Sequence, residues 1–214
     1  MLLKASGLEI LKINKKKFLY LISPNKIVRS FYGDLTKVLR SNKISFFQLR
    51  LKKYNFRNKL RIAKKIKKIC KKFKVKLLIN DDPILAKRID ADGCHLGQKD
   101  MSIRDARKLL KKKIIGVTCH NSLRLAKIAI KNKANYLAFG AFNLSKTKKV
   151  KFKANVNLIK KLKKTSNIPV VAIGGINNLN YKKLLLNKSD FLAISGYIWN
   201  NKKLKPLEAI ELIK

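Results

Sequence analysis

Short apolar segments recur along this chain, separated by longer stretches in which lysines alternate with apolar residues at helical spacing. The segments are rich in β-branched and aromatic side chains, which favours buried strands. Eight such segments occur, at 18–23, 46–50, 76–81, 93–97, 114–118, 136–142, 170–175 and 191–196. The pattern therefore predicts eight strands alternating with helices.

The stretch RNKLRIAKKIKKICKKF, at 57–73, shows the helical period most clearly. Its apolar residues form one stripe while the lysines face outward. The stripe consists of Leu60, Ala63, Ile66, Ile69, Cys70 and Phe73. Segments 102–112 and 121–132 have the same character, and Ser102 and Asn121 are the expected N-caps.

Eight strands alternating with helices over about 200 residues predict parallel pairing, and closing the sheet removes both of its edges. We therefore predict an α/β fold, a single-domain (β/α)8 TIM barrel over 18–214, preceded by an N-terminal extension at 1–17. An open doubly wound sheet is the alternative. Against it, no Gly-x-Gly-x-x-Gly follows the first strand, and polar or glycine residues end all eight strands rather than surround one switch point.

The chain carries 53 basic and 11 acidic residues, a formal net charge of +42, which raises the question of nucleic-acid binding. Of the basic residues, 44 are lysine and nine are arginine, and they are spread along the whole length. A protein that reads nucleic acid concentrates arginine and aromatic side chains on one face. We therefore attribute the excess to a compositional bias toward lysine and expect no specific nucleic-acid partner.

The cysteine and hydropathy patterns concern the compartment of the protein. Cys70, Cys94 and Cys119 include no Cys-x-x-Cys pair, so neither a disulfide framework nor a zinc ribbon is predicted. The first residues, MLLKASGLEILKINKKKF, contain no signal-peptide h-region, and no apolar run approaches the roughly 18 residues of a membrane helix. We expect a soluble, cytoplasmic protein without a membrane partner.

Five of the 11 acidic residues cluster in one stretch, LLINDDPILAKRIDADGCHLGQKD. Asp81 and Asp100 come just after the third and fourth predicted strands, whose C-terminal ends meet at the barrel mouth. Two carboxylates, completed by waters and substrate phosphates, commonly hold Mg²⁺. The other interpretation makes the aspartates helix caps or turn residues, and we favour it for Asp82, Asp90 and Asp92. For Asp81 and Asp100 we predict a Mg²⁺ site.

Other strand ends add polar and glycine residues. Gln48 and Arg50, two apart on one strand, point to the same side, and an arginine in the mouth needs an anion or a carboxylate. The loop NLSKTKK offers hydroxyls and lysines to an anion, and the glycine pair of AIGGI lets backbone N–H groups approach a phosphate. We interpret His95 as a hydrogen-bonded interior residue and leave the role of His120 open.

A series of these motifs resembles, in order and spacing, those of the thiamine-phosphate synthase family, from about Phe18 to Trp199. The motifs are QLRLK, LLIND, ADGCHLGQKDM, GVTCH, FGAFNLSKTK, VAIGGI and FLAISGYIW. The resemblance implies displacement of the diphosphate of 4-amino-5-hydroxymethyl-2-methylpyrimidine by the nitrogen of 4-methyl-5-(2-phosphoethyl)thiazole. The products would be thiamine phosphate and pyrophosphate, with Mg²⁺ as cofactor and a monomer or homodimer as the enzyme.

The resemblance also implies a role for each matching residue. Asp81 and Asp100 would bind the Mg²⁺ that bridges to the leaving pyrophosphate. The pyrophosphate itself would be contacted by Asn80 and by the catalytic cations Arg50, Lys52 and Lys148. The pyrimidine would lie near Gln48 and Thr118. The thiazole phosphate or its surroundings would be addressed by Ser145, Thr147, Gly175 and Ser195.

Two rival functions remain at this point. A thiazole tautomerase-like relative would share the thiazole-phosphate site without needing the metal and pyrophosphate residues, so the presence of those residues favours the synthase. A basic nucleic-acid-binding protein is the rival from another class. Binding to random duplex DNA at two salt concentrations separates it from the enzyme, because such binding depends on counterion release.

Overall fold

A computed structural model describes residues 17–144 and 150–214 of the chain. Eight strands pair in parallel, each with its neighbours in sequence, and the last pairs with the first to close a barrel. The strands are β1 Leu19–Ile22, β2 Ile44–Leu49, β3 Lys76–Asn80, β4 Gly93–Leu96, β5 Ile114–His120, β6 Tyr136–Gly140, β7 Val170–Ile173 and β8 Phe191–Ile194. The predicted single-domain (β/α)8 TIM barrel is confirmed, and the open-sheet alternative is wrong.

Aromatic side chains fill the barrel interior. The buried rings of Phe46 and Phe191 lie 5.0 Å apart between centroids, and those of Tyr20 and Tyr136 lie 5.8 Å apart. Alternate residues of the same strands point outward and pack under the helices in a second, larger core. Because the interior is packed with side chains, the C-terminal mouth of the barrel is the expected place for an active site.

The helices cover the outside of the barrel. They are α1 Phe31–Arg40, α2 Phe56–Lys72, α3 Pro83–Arg88, α4 Ile103–Leu110, α5 Leu123–Lys131, α6 Val156–Lys163, α7 Tyr181–Leu186, α8 Gly196–Trp199 and α9 Pro206–Glu211. The three helices predicted from the lysine-rich stretches correspond to α2, α4 and α5. Their apolar stripes face the barrel, as the amphipathic pattern requires.

One of the two predicted N-caps is correct. Ser102 caps α4, since its hydroxyl accepts a hydrogen bond from the backbone N–H of Asp105 at 3.1 Å. The prediction for Asn121 is wrong. The cap of α5 is Ser122, whose hydroxyl accepts from the backbone N–H of Leu125 at 3.2 Å. The physical reason is that β5 runs two residues beyond its predicted end, so α5 begins later.

Three of the clustered aspartates stabilise turns and helix ends. Asp82 caps α3 by accepting from the backbone N–H of Leu85 at 2.9 Å. Asp92 accepts from the backbone N–H of Leu77 at 2.9 Å, at the start of β3. Asp90 follows α3 and forms ion pairs with two lysines. The cap and turn interpretation therefore holds for Asp82, Asp90 and Asp92.

The predicted N-terminal extension, 1–17, lies outside the described residues except for its last position. Cys70, Cys94 and Cys119 are buried free thiols. Burial raises the pKa of each of these thiols to about 12, so none is a nucleophile at neutral pH. Among the helices described, none has the length and apolar character needed to cross a membrane.

Candidate active site at the barrel mouth

Two strand ends carry left-handed backbone conformations that are unusual for non-glycine residues. Asp81, directly after β3, has a φ of 61°, and His120, the last residue of β5, has a φ of 51°. The other described non-glycine residues with positive φ end or follow helices, and they are Asn42, Lys74, Asp90, Lys111, Lys133 and Lys188. Backbone strain of this kind gathers at functional sites. It points to the C-terminal ends of β3 and β5.

The carboxyl groups of Asp81 and Asp100 hydrogen-bond to each other. The ammonium of Lys52 lies 3.0 Å from Asp81 Oδ2, and the backbone N–H of Gly97 donates to Asp100 Oδ2 at 2.7 Å. Burial acts to raise the pKa of Asp81, but the bond to Asp100 and the Lys52 ammonium outweigh it and hold that pKa below its ordinary value. Burial, together with the bond to Asp81, raises the pKa of Asp100. Asp81 therefore ionises at a lower pH than Asp100 does.

The donor set of this pair is suited to a hard divalent cation. Two contacting carboxylates repel each other once both are ionised, and a cation between them removes that repulsion. Within 17–144 and 150–214, no third His, Cys, Asp or Glu joins them in a metal-binding cluster. An ion held here would complete its shell with water and ligand oxygens, as Mg²⁺ commonly does. The residues present therefore fit Mg²⁺ shared with a phosphorylated ligand.

A chain of hydrogen bonds crosses the barrel interior beneath the mouth. Gln48 Nε2 donates to the hydroxyl of Tyr20 at 2.8 Å, and that hydroxyl lies 2.8 Å from the hydroxyl of Tyr136. The Tyr136 hydroxyl is 2.8 Å from His95 Nδ1, and His95 Nε2 is 2.8 Å from Thr118 Oγ1. Burial lowers the pKa of His95 to about 4, so its imidazole is neutral at pH 7. The interpretation of His95 as a hydrogen-bonded interior residue is confirmed, and Gln48 and Thr118 are the ends of one network.

A cavity of about 260 Å³ opens where β2 and β3 meet the first turns of α2 and α3. It is lined by Leu49, Leu51, Lys52, Lys59, Ile79, Asn80, Asp81, Asp82 and Leu85. Three predicted site residues, Lys52, Asn80 and Asp81, are thus brought together. Lys59, which the motifs did not single out, adds a second ammonium 3.8 Å from Asp82. Carboxylates and ammonium groups therefore share one wall of the mouth.

Arg50 and Ser195, from opposite sides of β1, both contact the loop that follows it. Arg50 Nη1 donates to Asn25 Oδ1 at 2.9 Å, and Ser195 Oγ donates to the carbonyl of Ser23 at 3.3 Å. The guanidinium has five N–H groups, and this bond uses one of them. Both predicted residues are therefore located at the mouth, and the Arg50 guanidinium keeps N–H groups available to an anion.

Gly174 and Gly175 follow β7 with φ values of 105° and 59°, which glycine adopts without strain. A Cβ on Gly174 would lie 2.3 Å from Ala141 Cβ, and one on Gly175 would lie 2.1 Å from the carbonyl oxygen of Leu144. The glycine pair therefore packs directly against the loop after β6. The predicted site residues of that loop lie outside the described residues. They are Ser145, Thr147 and Lys148.

Two members of the hydrogen-bond network, Tyr20 and Tyr136, were missed by reading strand ends alone. Both lie within strands, at positions that point into the barrel with aromatic and aliphatic neighbours. A sequence signal was present, because a buried tyrosine must find a partner for its hydroxyl. Two tyrosines on inward-facing strand positions therefore predict a polar network in the interior.

Comparison with known proteins shows which family has this fold and these motifs. The sequence model of the family described as thiamine monophosphate synthase matches residues 19–198. The chain is 69% identical over 204 residues to a thiamine-phosphate synthase of Pelagibacter ubique (strain HTCC1062), covering 95% of this chain and 98% of that protein. It is 38% identical over 196 residues to a thiamine-phosphate synthase of Erythrobacter litoralis (strain HTCC2594), covering 89% and 92%.

A solved structure agrees with these sequence relationships. The thiamine phosphate pyrophosphorylase from Pyrococcus furiosus superposes with a TM-score of 0.82 at 26% identity, over 93% of this chain and 94% of that one. Family match, sequence identity and structural similarity thus agree over nearly the whole barrel. The chain belongs to the thiamine monophosphate synthase family.

Proposed function

We propose that this chain is a transferase that joins 4-amino-2-methyl-5-(diphosphomethyl)pyrimidine to 4-methyl-5-(2-phosphoethyl)thiazole, giving thiamine phosphate and pyrophosphate. Family membership supports this reaction, since the similar proteins from Pelagibacter and Erythrobacter are named thiamine-phosphate synthases. The observation that carries the proposal is the bonded pair Asp81 and Asp100 with Lys52 in contact. Carboxylates and a cation at one mouth suit a metal-bridged, highly charged leaving group.

The chemistry asks the protein to stabilise charge and to hold two rings in line. The bond between the pyrimidinylmethyl carbon and the diphosphate oxygen breaks, and pyrophosphate leaves with the electron pair. The aminopyrimidine ring stabilises the cation that remains. The lone pair of the thiazole nitrogen then forms the new carbon–nitrogen bond. No side-chain nucleophile is needed, so catalysis rests on electrostatic stabilisation and positioning.

The pyrophosphate half of the site is assigned to the wall formed by β2, β3 and β4. Asp81 and Asp100 would hold Mg²⁺, which when bound supplies positive charge to the departing pyrophosphate. Lys52 lies next to Asp81, so it can neutralise the leaving group without moving far. Arg50 and Asn80 complete this wall, and Lys148 is assigned to the same group from the loop after β6.

The two rings are assigned to the remaining strand ends. Gln48 and Thr118, at the ends of the interior hydrogen-bond network, would hold the pyrimidine. The thiazole phosphate would bind at Gly175 and Ser195, and the matching motif assigns Ser145 and Thr147 to the same substrate. This assignment is supported by the left-handed glycine turn after β7 and by the usual phosphate site of this fold after strands seven and eight.

A tautomerase-like relative on the same barrel is the second candidate function. Such an enzyme would use the thiazole-phosphate groups without a carboxylate pair. The contact between Asp81 and Asp100 favours the synthase, because two half-buried carboxylates that repel each other suit a bound cation, which the tautomerase-like reaction does not require.

The proposal is tested by incubating the purified chain with both substrates and Mg²⁺ and detecting thiamine phosphate by chromatography. We expect product with Mg²⁺, none after chelation by EDTA, and recovery when Mg²⁺ is restored. Asp100→Asn at the same concentration serves as the control against a contaminating synthase. Absence of product with Mg²⁺, Mn²⁺ and Co²⁺ alike would reject the synthase assignment.

A further inference from the structure

The interior hydrogen-bond network has a fixed direction, because its first member can only donate. The Nε2 group of Gln48 donates to the Tyr20 hydroxyl, which therefore acts as acceptor. Tyr20 has one proton, and its remaining hydrogen-bond partner is the Tyr136 hydroxyl, so that proton is donated to Tyr136. The proton of Tyr136 is then donated to Nδ1 of His95. Each step leaves a single choice for the next.

Assigning donors and acceptors in the same way fixes the tautomer of His95. Because Nδ1 accepts a hydrogen bond, it carries no proton, and the one N–H of the neutral ring is on Nε2. That N–H donates to Thr118 Oγ1. The Thr118 proton is thus left for another acceptor, while the Oε1 of Gln48 is left as an acceptor. The two ends of the network have opposite hydrogen-bonding character.

Tyr136, at the centre of the network, occupies space that is open because residue 116 is a glycine. It is fully buried, and a Cβ on Gly116 would lie 1.7 Å from its Cζ and 2.2 Å from its hydroxyl oxygen. Its ring also lies nearly parallel to that of His95, at an interplanar angle of 18°. The packing therefore locates the hydroxyl between Tyr20 and His95.

We propose that Tyr136 is a positioning residue for the pyrimidine subsite: it locks His95 as the Nε2–H tautomer and so presents Thr118 as a donor and Gln48 as an acceptor. The inference rests on the proposed function for the assignment of Gln48 and Thr118 to the pyrimidine. An aminopyrimidine matches this pattern, since its amino N–H donates and its adjacent ring nitrogen accepts. A ring with an oxo group in place of the amino group presents the reverse pattern and is disfavoured.

The tautomer is tested by ¹⁵N NMR of the histidine side chains in the full chain without substrates. His95 and His120 are the two histidines, so His120→Gln assigns the spectrum. We expect a single Nε2–H tautomer for His95 in the wild type and a mixture in Tyr136→Phe. Tyr181→Phe is the matched control, because Tyr181 is another buried tyrosine whose hydroxyl bonds to the backbone of Lys214 instead. A single tautomer retained in Tyr136→Phe would overturn the proposal.

Kinetics supply the second measurement. Tyr136→Phe should raise KM for the pyrimidine diphosphate about tenfold, the effect of one lost hydrogen bond, with little change in KM for the thiazole phosphate. The aminopyrimidine and its oxo analogue are also compared as competitive inhibitors. In the wild type the inhibition constant of the oxo analogue should be the larger, and in Tyr136→Phe the ratio of the two constants should fall by a similar factor. Equal changes in both KM values, or the same changes in Tyr181→Phe, would overturn the proposal.

Tyr20→Phe separates the two halves of the network and covers the case in which Tyr136→Phe does not fold. Without Tyr20, the Tyr136 hydroxyl still donates to His95, so the tautomer should stay single while KM for the pyrimidine diphosphate rises. Loss of the tautomer in Tyr20→Phe would contradict the assigned direction. A wild-type chain that forms no thiamine phosphate would reject the proposed function, whereas the NMR result would still decide the tautomer.

Discussion

Asp81 and Asp100 illustrate how a residue's environment decides its role within one acidic stretch. Both face each other at the mouth, whereas Asp90 forms ion pairs with Lys67 and Lys113 next to a helix end. The sequence allowed both interpretations for every aspartate. Contact between carboxylates separates the pair from the others, because only a proton or a cation makes such contact favourable.

The first prediction concerns the activity of this pair. Asp81→Asn and Asp100→Asn should each lower kcat on the order of 10²-fold, because each removes a charged ligand of the ion that stabilises the leaving group. The double variant should lose far less than the product of the single losses, since both residues act through one ion. Asp90→Asn is the control and should stay within a few-fold of wild type. Multiplicative losses in steady-state assays would contradict the shared site.

A second prediction at this scale concerns stability without metal. The pKa of Asp100 is raised by folding, so its protonated form contributes stability that is present at low pH and lost as pH rises through the folded-state pKa. At pH 7 Asp100 has lost this contribution, and its carboxylate lies beside the negatively charged carboxylate of Asp81. Asp100→Asn should raise the metal-free Tm by about 1–3 °C and abolish the gain in Tm that Mg²⁺ gives the wild type. A lower metal-free Tm measured by calorimetry would show that Asp100 supports the fold.

At the scale of elements, the loops after β6 and β7 form one unit. The carbonyl of Leu144 lies where a side chain on Gly175 would have to go, so the shape of each loop depends on the other. Gly175→Val should raise KM for the thiazole phosphate at least tenfold and KM for the pyrimidine diphosphate much less. Gly33→Ala is the matched control, because a Cβ there meets nothing within 4 Å. Equal effects on both KM values would show that the thiazole phosphate does not bind at this turn.

Helix ends provide a prediction that is independent of function. Lys74 follows α2 with a φ of 54°, a conformation that glycine adopts without the cost borne by other residues. Lys74→Gly should therefore raise the free energy of unfolding by about 0.5–1 kcal/mol in urea titrations. Lys71→Gly, inside the last turn of α2, is the control and should lower it by a similar amount. Destabilisation by Lys74→Gly would mean that its side chain contributes more than the backbone strain costs.

The elements themselves could largely be predicted from sequence, and the interior network could not. Strands and amphipathic helices follow from local periodicity, which is why the order of strands and helices was correct. The cap of α5 was misplaced because β5 extends further than its apolar run. The bonds that join Gln48 to Thr118 connect five different strands, and local patterns carry no information on which inward side chains meet.

At the scale of the whole molecule, the net charge of +42 affects both stability and substrate capture. The described residues form seven ion pairs, too few to balance the lysines. Self-repulsion of this kind weakens the folded state, while the same positive field attracts anionic substrates. Salt should therefore change stability and activity in opposite directions.

The final prediction is a titration with monovalent salt. Between 0.01 M and 0.1 M the screening length falls from about 30 Å to about 10 Å, so repulsion between distant lysines is reduced while the short ion pairs are affected less. We expect Tm to rise by several degrees and kcat/KM for the diphosphate substrate to fall several-fold. Potassium chloride and choline chloride should act alike, which distinguishes screening from binding of a particular cation. A Tm that falls with salt would show that the ion pairs outweigh the repulsion, and the lysine excess would then have been compensated within the fold.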